Sequence, residues 1–496
     1  MFIVLSNRVK KFDVKSFLLL LLFNILALLP LICFAFQHFS IDSYGMIDNY
    51  DSHCLWWIGC FRYFGSLVSK IWFMIGNDPV INPILDVICY IVIVGISSAS
   101  LSFFIYKKLD HKSISSLLIV NTSALITLIN PWFSDMLTFP ECIFATTIGV
   151  MFCISSLIIF SSIKNKAIKY LISGFMLICS TAVLQQFFVV FIIYLFLLTS
   201  IETINNNQTT KQLCIKYLSL IIYLISCATL YFVIGIGLQK LFDISPNSRV
   251  ALNLESIINN LKYFAFNQHS YLKGRGFFNT EILTVCYLVV IAIWIISFVY
   301  YIKKHKFNAK AVFLLISYIA AYASSFGMGL ISTSRSHRTM FGLFSVFALF
   351  SIGSILLMNN KITKRILCVV LLVVYGLSVF KTVEMSIDQY KGNTTEKVYA
   401  NLYLSEINAY EKSTGNTVKN IEICTDKHCD TTKGESALTV RYAFEPLMKY
   451  ISNRDFIVKD LTDNQIKKEF ESNDWNEYIP NEQMIFNGDT LYLCVY

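Results

Sequence analysis

Three carboxylates lie at the ends of long apolar segments. Asp42 follows the first such segment, and Asp135 and Glu141 flank the turn between the third and the fourth. A carboxylate beside hydrocarbon is costly unless it faces water or a partner, which makes a functional role the default hypothesis. The chemistry that these residues could perform is general-base catalysis, in which a carboxylate removes the proton from an attacking hydroxyl. The structural alternative is that they cap helix ends or pair with Arg62.

Three arginines, Arg62, Arg335 and Arg338, form a second group. They belong to segments that we place on the outer face of a membrane, where the distribution of basic residues disfavours arginine. A guanidinium group binds phosphate bidentately and could neutralise a phosphate leaving group. Contact with lipid headgroups explains the same three residues equally well.

Two adjacent glutamines, Gln185 and Gln186, are polar residues at the outer end of a helical hairpin. They could contact a hydroxylated ligand or form an interhelical hydrogen bond worth about 1 kcal/mol. The sequence has no Walker loop, no GxGxxG after a strand and no HExxH motif. We predict no cofactor and no metal site, although the three acids could hold a divalent cation.

Four cysteines lie in segments that we place outside: Cys54, Cys60, Cys424 and Cys429. A disulfide within either pair is permitted there but not required. The 424–429 segment also holds one histidine, but two cysteines and one histidine lack the fourth ligand of a usual zinc site. A surface turn is the favoured interpretation.

The elements that must position these residues are mostly apolar. Of 496 residues, 55% are hydrophobic and 15% are charged, and the apolar runs of about 18–25 residues are long enough to cross a bilayer. This pattern predicts an all-α polytopic membrane bundle of about eleven transmembrane helices. We place them at 17–37, 84–106, 114–133, 142–163, 167–184, 186–204, 214–238, 281–302, 311–331, 341–358 and 365–384.

Basic residues decide the topology, because they fall on every second loop between these segments. The clusters lie before the first helix and near 107–112, 164–169, 211–216, 303–310 and 361–365. The positive-inside rule then predicts a cytoplasmic N-terminus, and an odd helix count puts the C-terminus outside. The net charge of +9 therefore reflects topology, and we expect no nucleic-acid partner.

The outer face carries two large polar parts. We divide the chain into a membrane domain, 1–385, with an outer loop at 38–83, and a C-terminal α/β domain, 386–496. The loop contains an apolar stretch ending near Ile75 with helical spacing, which predicts a helix in the interface plane. In the C-terminal domain we predict helices at 395–412, 442–452 and 463–472 and strands at Asn420–Cys424 and Thr490–Tyr496.

These motifs, in this order, resemble the bacterial serotype-converting O-antigen glucosyltransferases, the glucosyltransferase type II integral membrane family with a GT-C-like architecture. In such proteins two acids and a tyrosine begin the first outer loop, and a helix with Gly-Arg-aromatic follows. This chain has Ile-Asp-Ser-Tyr at 41–44 and Phe-Arg-Tyr at 61–63, so it keeps one acid of two and Phe61 replaces the glycine. The next signature, Asn-Pro-aromatic followed by two acids, corresponds to 130–141.

Two later features of the family also have counterparts. A glutamine after the fifth helix matches Gln185 or Gln186, and a late outer arginine matches Arg335 or Arg338. A C-terminal domain on the periplasmic side is likewise seen in serotype-converting members. The likeness covers most of the membrane portion, and the C-terminal residues cannot be carried over.

The resemblance implies a transferase in the bacterial inner membrane. Its donor would be an undecaprenyl-phosphate-linked sugar, with glucose the expected hexose, and its acceptor a sugar of the lipid-linked O-antigen on the periplasmic face. A single displacement with inversion is the simplest chemistry. The implied roles are Asp42 as base, Asp135 and Glu141 shaping the site, Arg62, Arg335 and Arg338 near the donor phosphate, and Tyr44, Trp56, Trp57, Gln185 and Gln186 contacting substrate.

Other functions remain alternatives. An O-antigen polymerase has a similar number of helices but usually carries its large outer loop between helices, whereas this polar segment is terminal. A polysaccharide flippase or transporter commonly has internal repeats and charges at the bilayer midplane, and we find no repeat. A membrane protein with a structural or immunity role and no catalysis is the third alternative.

The topology can be tested with reporter fusions. We expect alkaline phosphatase to be active when fused after Tyr496 or within the 38–83 loop, because the enzyme folds only outside the cytoplasm. A fusion after Lys112 should be inactive, because that loop is basic and inside. An active fusion after Lys112 with an inactive one after Tyr496 would contradict the predicted orientation.

Overall fold

Helices account for most of the chain. The structure, a computed structural model, describes residues 11–110, 112–206, 208–245, 253–333, 337–425, 436–472 and 479–495. The helices are α1 (Lys11–Leu28), α2 (Ser43–Asp48), α3 (Tyr50–Gly59), α4 (Tyr63–Met74), α5 (Ile84–Lys108), α6 (Ile114–Leu128), α7 (Pro131–Ser134), α8 (Pro140–Ser162), α9 (Lys166–Thr181), α10 (Gln186–Asn205), α11 (Thr210–Leu241), α12 (Leu254–Phe266), α13 (Gln268–Leu272), α14 (Glu281–His305), α15 (Ala309–Ser324), α16 (Gly327–Leu330), α17 (Ser345–Leu357), α18 (Lys361–Thr414), α19 (Arg441–Ser452), α20 (Asn464–Glu471) and α21 (Pro480–Gln483). Three 3₁₀ segments cover Leu29–Ala35, Asp135–Thr138 and His337–Phe344.

The helices confirm the predicted polytopic bundle. Nine helical segments of the described chain are long and apolar enough to cross a membrane. They account for nine of the eleven predicted segments, and the other two are α9 and α15, with 16 residues each. A helix of that length is about 24 Å long, less than the roughly 30 Å of hydrocarbon in a bilayer. These two helices therefore need local bilayer thinning or their flanking turns to span it.

The bundle has a central helix and peripheral ones. In the most apolar stretch of the segment that contains α17, 94% of the residues are buried within the protein. In the corresponding stretches of α11 and α18, 28% of the residues are buried. The exposed side chains of α11 include Ile222, Ile225 and Val233. A surface that is apolar over this length is suited to lipid rather than water, so the chain is a membrane protein.

The last long helix joins the bundle to the C-terminal domain without a break. Helix α18 has 54 residues and is about 80 Å long, far more than a membrane requires. It continues through residue 385, where the composition turns polar, and ends at Gly415 with φ +76°. Beyond 385, its buried side chains recur at helical spacing: Asn393, Glu396, Ala400, Tyr403, Leu404 and Ile407. We call this part of α18, residues 381–414, the stem.

The C-terminal domain contains a four-stranded sheet in the order β2-β1-β4-β3. The strands are β1 (Asn420–Thr425), β2 (Ile457–Asp460), β3 (Met484–Asn487) and β4 (Thr490–Val495). Strand β1 is parallel to β2 and β4, while β3 and β4 form an antiparallel hairpin. Strands β1 and β4 and helices α19 and α20 agree with the prediction from sequence, whereas the four-residue strands β2 and β3 were not predicted.

The outer cysteines are described in part. Cys54 is buried and Cys60 is half-buried, and no disulfide joins these two residues, which both belong to the described chain. Cys429 lies outside the described residues, so the structure does not test whether it pairs with Cys424.

The first outer loop and the C-terminal domain share one apolar core. Phe39, Tyr44 and Met46 of the loop pack in the same cluster as Tyr403 of the stem and Leu491 of β4. Phe39 and Tyr44 stack with ring centroids 4.6 Å apart. The conformation of the loop therefore depends on packing against residues that follow it by more than 300 positions in the sequence.

Glu396 of the stem is the polar centre of this shared core. Its carboxylate, 3% exposed, accepts hydrogen bonds from Tyr44 Oη (3.1 Å), Asn393 Nδ2 (3.0 Å), Ser436 Oγ (3.2 Å) and the Ala437 amide (2.7 Å). A buried carboxylate requires such partners, because its desolvation is otherwise uncompensated. Glu396 thereby links the first loop, the stem and the sheet domain.

We expect Glu396→Ala to destabilise this junction. The substitution leaves several buried donors without an acceptor, and each can cost about 1–3 kcal/mol. The prediction is an earlier unfolding transition of the C-terminal domain, measured by tryptophan fluorescence of the purified full-length protein in detergent. The matched control is Glu406→Ala, on the same helix but outside this network. Equal transitions for the two variants would contradict the assignment.

Candidate active site

The Asn-Pro-aromatic segment is a helix start that places two acids. The Asn130 side chain accepts a hydrogen bond from the Phe133 amide (3.0 Å), and Pro131 occupies the first turn of α7. Proline fits there because its missing N–H would have no intrahelical partner. The following 3₁₀ turn carries Asp135, and α8 then begins at Pro140 with Glu141 in its first turn. The motif thus brings both acids to one end of the bundle.

Glu141 holds the start of the first outer loop. Its side chain is 2% exposed and accepts hydrogen bonds from Ser40 Oγ (3.1 Å) and Ser43 Oγ (2.9 Å). Asp42 lies between these two serines and directly before α2. The buried carboxylate of Glu141 therefore orients the segment that carries Asp42.

A cavity of about 450 Å³ opens beside this segment. We call it the first cavity. Seven of the residues selected from the sequence line it: Asp42, Trp56, Trp57, Arg62, Glu141, Gln185 and Arg338. They come from the first outer loop, from the ends of α8 and α9–α10, and from the 3₁₀ segment before α17. The structure thus gathers residues that are up to 296 positions apart in the sequence.

Arg62 enters the first cavity from an unusual backbone turn. The preceding Phe61 has φ +60°, a conformation that glycine adopts without steric cost. This explains the glycine in the family pattern that Phe61 replaces. The Phe61 ring packs on Gly235, where a Cβ would lie only 2.4 Å from it, and the Phe61 carbonyl accepts from Tyr231 Oη (3.1 Å). Packing and a hydrogen bond hold the turn despite the strain.

The guanidinium of Arg62 has an unsatisfied donor. Its Nε is buried and has no hydrogen-bond partner among the described residues. A buried N–H without a partner costs about 1–3 kcal/mol, and a charged one costs more. An anionic ligand group in the first cavity would remove this penalty.

Arg338 is held by an ion pair. Its Nε donates to Asp135 Oδ2, and the guanidinium carbon lies 4.6 Å from the centroid of the Phe139 ring. His337 Nε2 is 3.4 Å from the same carboxylate oxygen. Asp135 itself does not line the first cavity, so it acts on that cavity through Arg338. Arg335 lies outside the described residues.

A second cavity, of about 570 Å³, lies next to the first. Ile41, Phe139, His337 and Arg338 line both. Asp135 and several stem residues between 381 and 396 line only the second cavity. The pair Asp135–Arg338 therefore stands where the two cavities meet.

The two glutamines and Tyr44 have different surroundings. Gln185 Nε2 donates to the Cys60 carbonyl (2.8 Å) at the wall of the first cavity. Gln186 is buried against Gly342, outside both cavities, and neither of its amide atoms has a partner in the described chain. Tyr44 is buried outside both cavities and bonds to Glu396, as described above.

Sequence reasoning missed several residues of the site. Ser40 and Ser43 bind Glu141, His53 and His337 line the first cavity, and Tyr442 of α19 reaches that cavity from the C-terminal domain. The serines flank Asp42, which is a signal that could have been used. No local pattern indicates Tyr442, because its position depends on how α19 packs against α2.

The described residues contain no group of three or more His, Cys, Asp or Glu side chains placed to hold a metal ion. Asp135 instead pairs with Arg338, and Glu141 binds the hydroxyls of Ser40 and Ser43. This arrangement can bind an anion, orient a hydroxyl and accept its proton.

A comparison with protein families decides the class of reaction. The family described as Glucosyl transferase GtrII matches residues 31–358 of the 496-residue chain. The chain belongs to this family. It is therefore a membrane-embedded glycosyltransferase, and the matched region contains every residue of the first cavity except Tyr442. The stem and the C-terminal domain lie outside the match. A comparison with curated proteins finds no match.

His53 gives this glycosyltransferase a pH-dependent stability. Burial and then the positive charge of Arg62 lower the pKa of His53 to about 4. In the unfolded chain the His53 ring binds a proton below about pH 6.5, whereas in the folded protein it does so only near pH 4. The folded state therefore loses stability relative to the unfolded state as pH falls from about 6.5 towards 4. We expect His53→Gln to lose less thermal stability than the wild type between pH 7 and pH 4.5, measured in detergent. Parallel curves for the two proteins would contradict this assignment.

Proposed function

We propose that this chain transfers a glucosyl group from undecaprenyl-phosphate-linked glucose to a sugar of the O-antigen, on the periplasmic face of the inner membrane. The observation that carries the proposal is the shared lining of the first cavity, in which one half-buried acid, Asp42, and two guanidinium groups, Arg62 and Arg338, face one space. An acid and two cations are what a transfer from a phosphate-linked sugar requires.

The cationic side of the first cavity fits the donor phosphate. Arg62 has a buried Nε that lacks a partner in the described chain, and Arg338 is oriented by Asp135. Arginine binds phosphate oxygens with parallel N–H groups and keeps its charge at any physiological pH. In the proposed complex both residues stabilise the negative charge that grows on the departing lipid phosphate. Arg335 remains a candidate for the same role from its sequence position.

The acidic side supplies the base. In the proposed step an acceptor hydroxyl oxygen bonds to the anomeric carbon while the bond from that carbon to the phosphate oxygen breaks. Asp42 takes the hydroxyl proton, and undecaprenyl phosphate leaves with the bonding electrons. Glu141 is less suited to this role because its oxygens already accept from Ser40 and Ser43. We assign it to positioning of the loop.

Other side chains of the first cavity have the properties of a sugar site. Trp56, Trp57 and Tyr442 present aromatic surface, and Gln185 is held at the wall by its bond to Cys60. Flat aromatic rings pack against the C–H faces of a pyranose, while amides and carboxylates bond to its hydroxyls. We propose substrate contact for these residues. For Tyr44 and Gln186 we propose structural roles, because both lie outside the cavities.

The glucosyl transferase family match favours transfer over transport or polymer joining. The outward orientation of the site follows from the basic loops and from the predicted topology. This orientation agrees with a donor and an acceptor that are both presented on the outer leaflet. No observation favours a second candidate function.

The test is Asp42→Asn, which keeps the size of the side chain and removes its basicity. Loss of a general base typically lowers the rate by about 10²–10⁴-fold. We expect wild-type protein, in a host that makes undecaprenyl-phosphate glucose, to add one hexose residue to the repeat unit of lipopolysaccharide, and the variant to add almost none. Mass spectrometry of the released polysaccharide is the measurement.

The matched control is Asp51→Asn in the same outer loop. Asp51 is exposed and pairs with Lys70, so its loss should leave the added hexose unchanged. Full activity of Asp42→Asn would exclude Asp42 as the base. Failure of the wild type to modify lipopolysaccharide would reject this donor and acceptor pair, and a changed chain-length distribution would instead favour the polymerase.

A further inference from the structure

The second cavity is lined largely by residues of the stem. None of these stem residues has a role in the reaction proposed above. Its lining includes Lys381, Glu384, Met385, Asp388, Gln389 and Gly392 on successive turns of α18. Phe139, and Gly276 and Phe277 of the loop before α14, also line it. At about 570 Å³ it has the size of an ordinary ligand pocket.

The charges of this cavity differ from those of the first. Its two described cations are already paired, Arg338 with Asp135 and Lys381 with Glu384 (2.5 Å). Asp388, by contrast, is half-buried and has no ion-pair or hydrogen-bond partner among the described residues. A phosphate would meet an uncompensated carboxylate here, so the cavity disfavours an anion. A carboxylate without a partner suits a ligand that donates hydrogen bonds through hydroxyl groups.

Part of the lining is aromatic. Phe277 packs edge-on against His337 with ring centroids 4.5 Å apart, and Phe139 lies beneath the Arg338 guanidinium. A cavity lined by acidic and amide groups together with phenyl rings offers partners for both the hydroxyl groups and the C–H faces of a pyranose. The carboxylate of Glu396 is already occupied by four hydrogen-bond donors, whereas Asp388 has no hydrogen-bond partner among the described residues.

We infer that the second cavity binds the acceptor, a neutral hydroxyl-rich saccharide chain, and that Asp388 is its main polar contact. This assignment rests on the proposed function. The acceptor hydroxyl would pass Arg338 and Phe139, which line both cavities, to reach the anomeric carbon in the first. Because the stem lies outside the family match at 31–358, acceptor recognition can differ between members that share the donor site.

The test uses the full-length protein in nanodiscs with undecaprenyl-phosphate glucose as donor. The acceptor probe is O-polysaccharide released by mild acid from the lipopolysaccharide of the organism that carries the gene. We expect Asp388→Ala to raise the acceptor KM roughly tenfold or more, as for a lost hydrogen bond to a charged group. The donor KM and the thermal transition should stay at wild-type values. Glu406→Ala, on the same helix away from the cavity, is the control.

A second variant, Met385→Trp, tests the cavity rather than one contact. The larger side chain fills the space, so it should abolish binding of the polysaccharide, measured by microscale thermophoresis without donor, while binding of the donor lipid persists. Unchanged acceptor KM and binding in both variants would overturn the inference and leave the proposed function intact. A raised donor KM in either would assign the cavity to the donor and overturn it as well. If the wild type binds the polysaccharide and Met385→Trp does not, the inference is supported even when no glucose is transferred. This outcome distinguishes the inference from the proposed reaction.

Discussion

Two buried carboxylates hold the segment from residue 38 to residue 44, and the active site depends on that constraint. Glu141 binds Ser40 and Ser43 from the membrane side, and Glu396 binds Tyr44 from the stem. Neither carboxylate can lose its partners without a large desolvation penalty. Asp42 lies between the two serines and two residues before Tyr44, so contacts with both the bundle and the stem restrict its position.

The same constraint connects the stem to the segment that carries Asp42. The Phe39 backbone is held by Asn393 of the stem, whose Oδ1 accepts from its amide (2.8 Å) and whose Nδ2 donates to its carbonyl (2.9 Å). His38 is fixed in turn by contacts of its ring nitrogens with the carbonyls of Phe36 (2.8 Å) and Leu137 (2.9 Å). A domain outside the family match therefore helps to shape a site that lies mostly inside it. The stem and the last membrane segment belong to one uninterrupted helix.

The ion pair of Asp135 with Arg338 lies between two cavities that differ in their balance of charged side chains. On one side Arg62 adds positive charge to the first cavity, and on the other Asp388 adds negative charge to the second. In a region of low dielectric constant such charges act strongly over short distances. In the proposed reaction, the lipid phosphate would occupy the first cavity and the neutral saccharide the second, with Arg338 lining both.

The helices of the bundle were predictable because each requires a long apolar run, and the strands β1 and β4 because each has a recognisable β-rich pattern. Strands β2 and β3 have four residues each, too few for alternation to be read. The continuity of α18 was missed because its hydropathy falls at residue 386. A helix that leaves the membrane keeps only a narrow apolar stripe, here at positions such as Ala400, Leu404 and Ile407.

The sequence by itself determined the residue types that could do the chemistry, the apolar segments and, through the basic loops, the expected orientation. Only the tertiary structure decided which of those residues share a cavity: Asp42, Arg62 and Arg338 do, while Tyr44 and Gln186 do not. The physical reason is that hydropathy and charge patterns act locally along the chain. The contacts between Asp135 and Arg338, or between Tyr44 and Glu396, join positions more than 200 residues apart and depend on packing that no local pattern encodes.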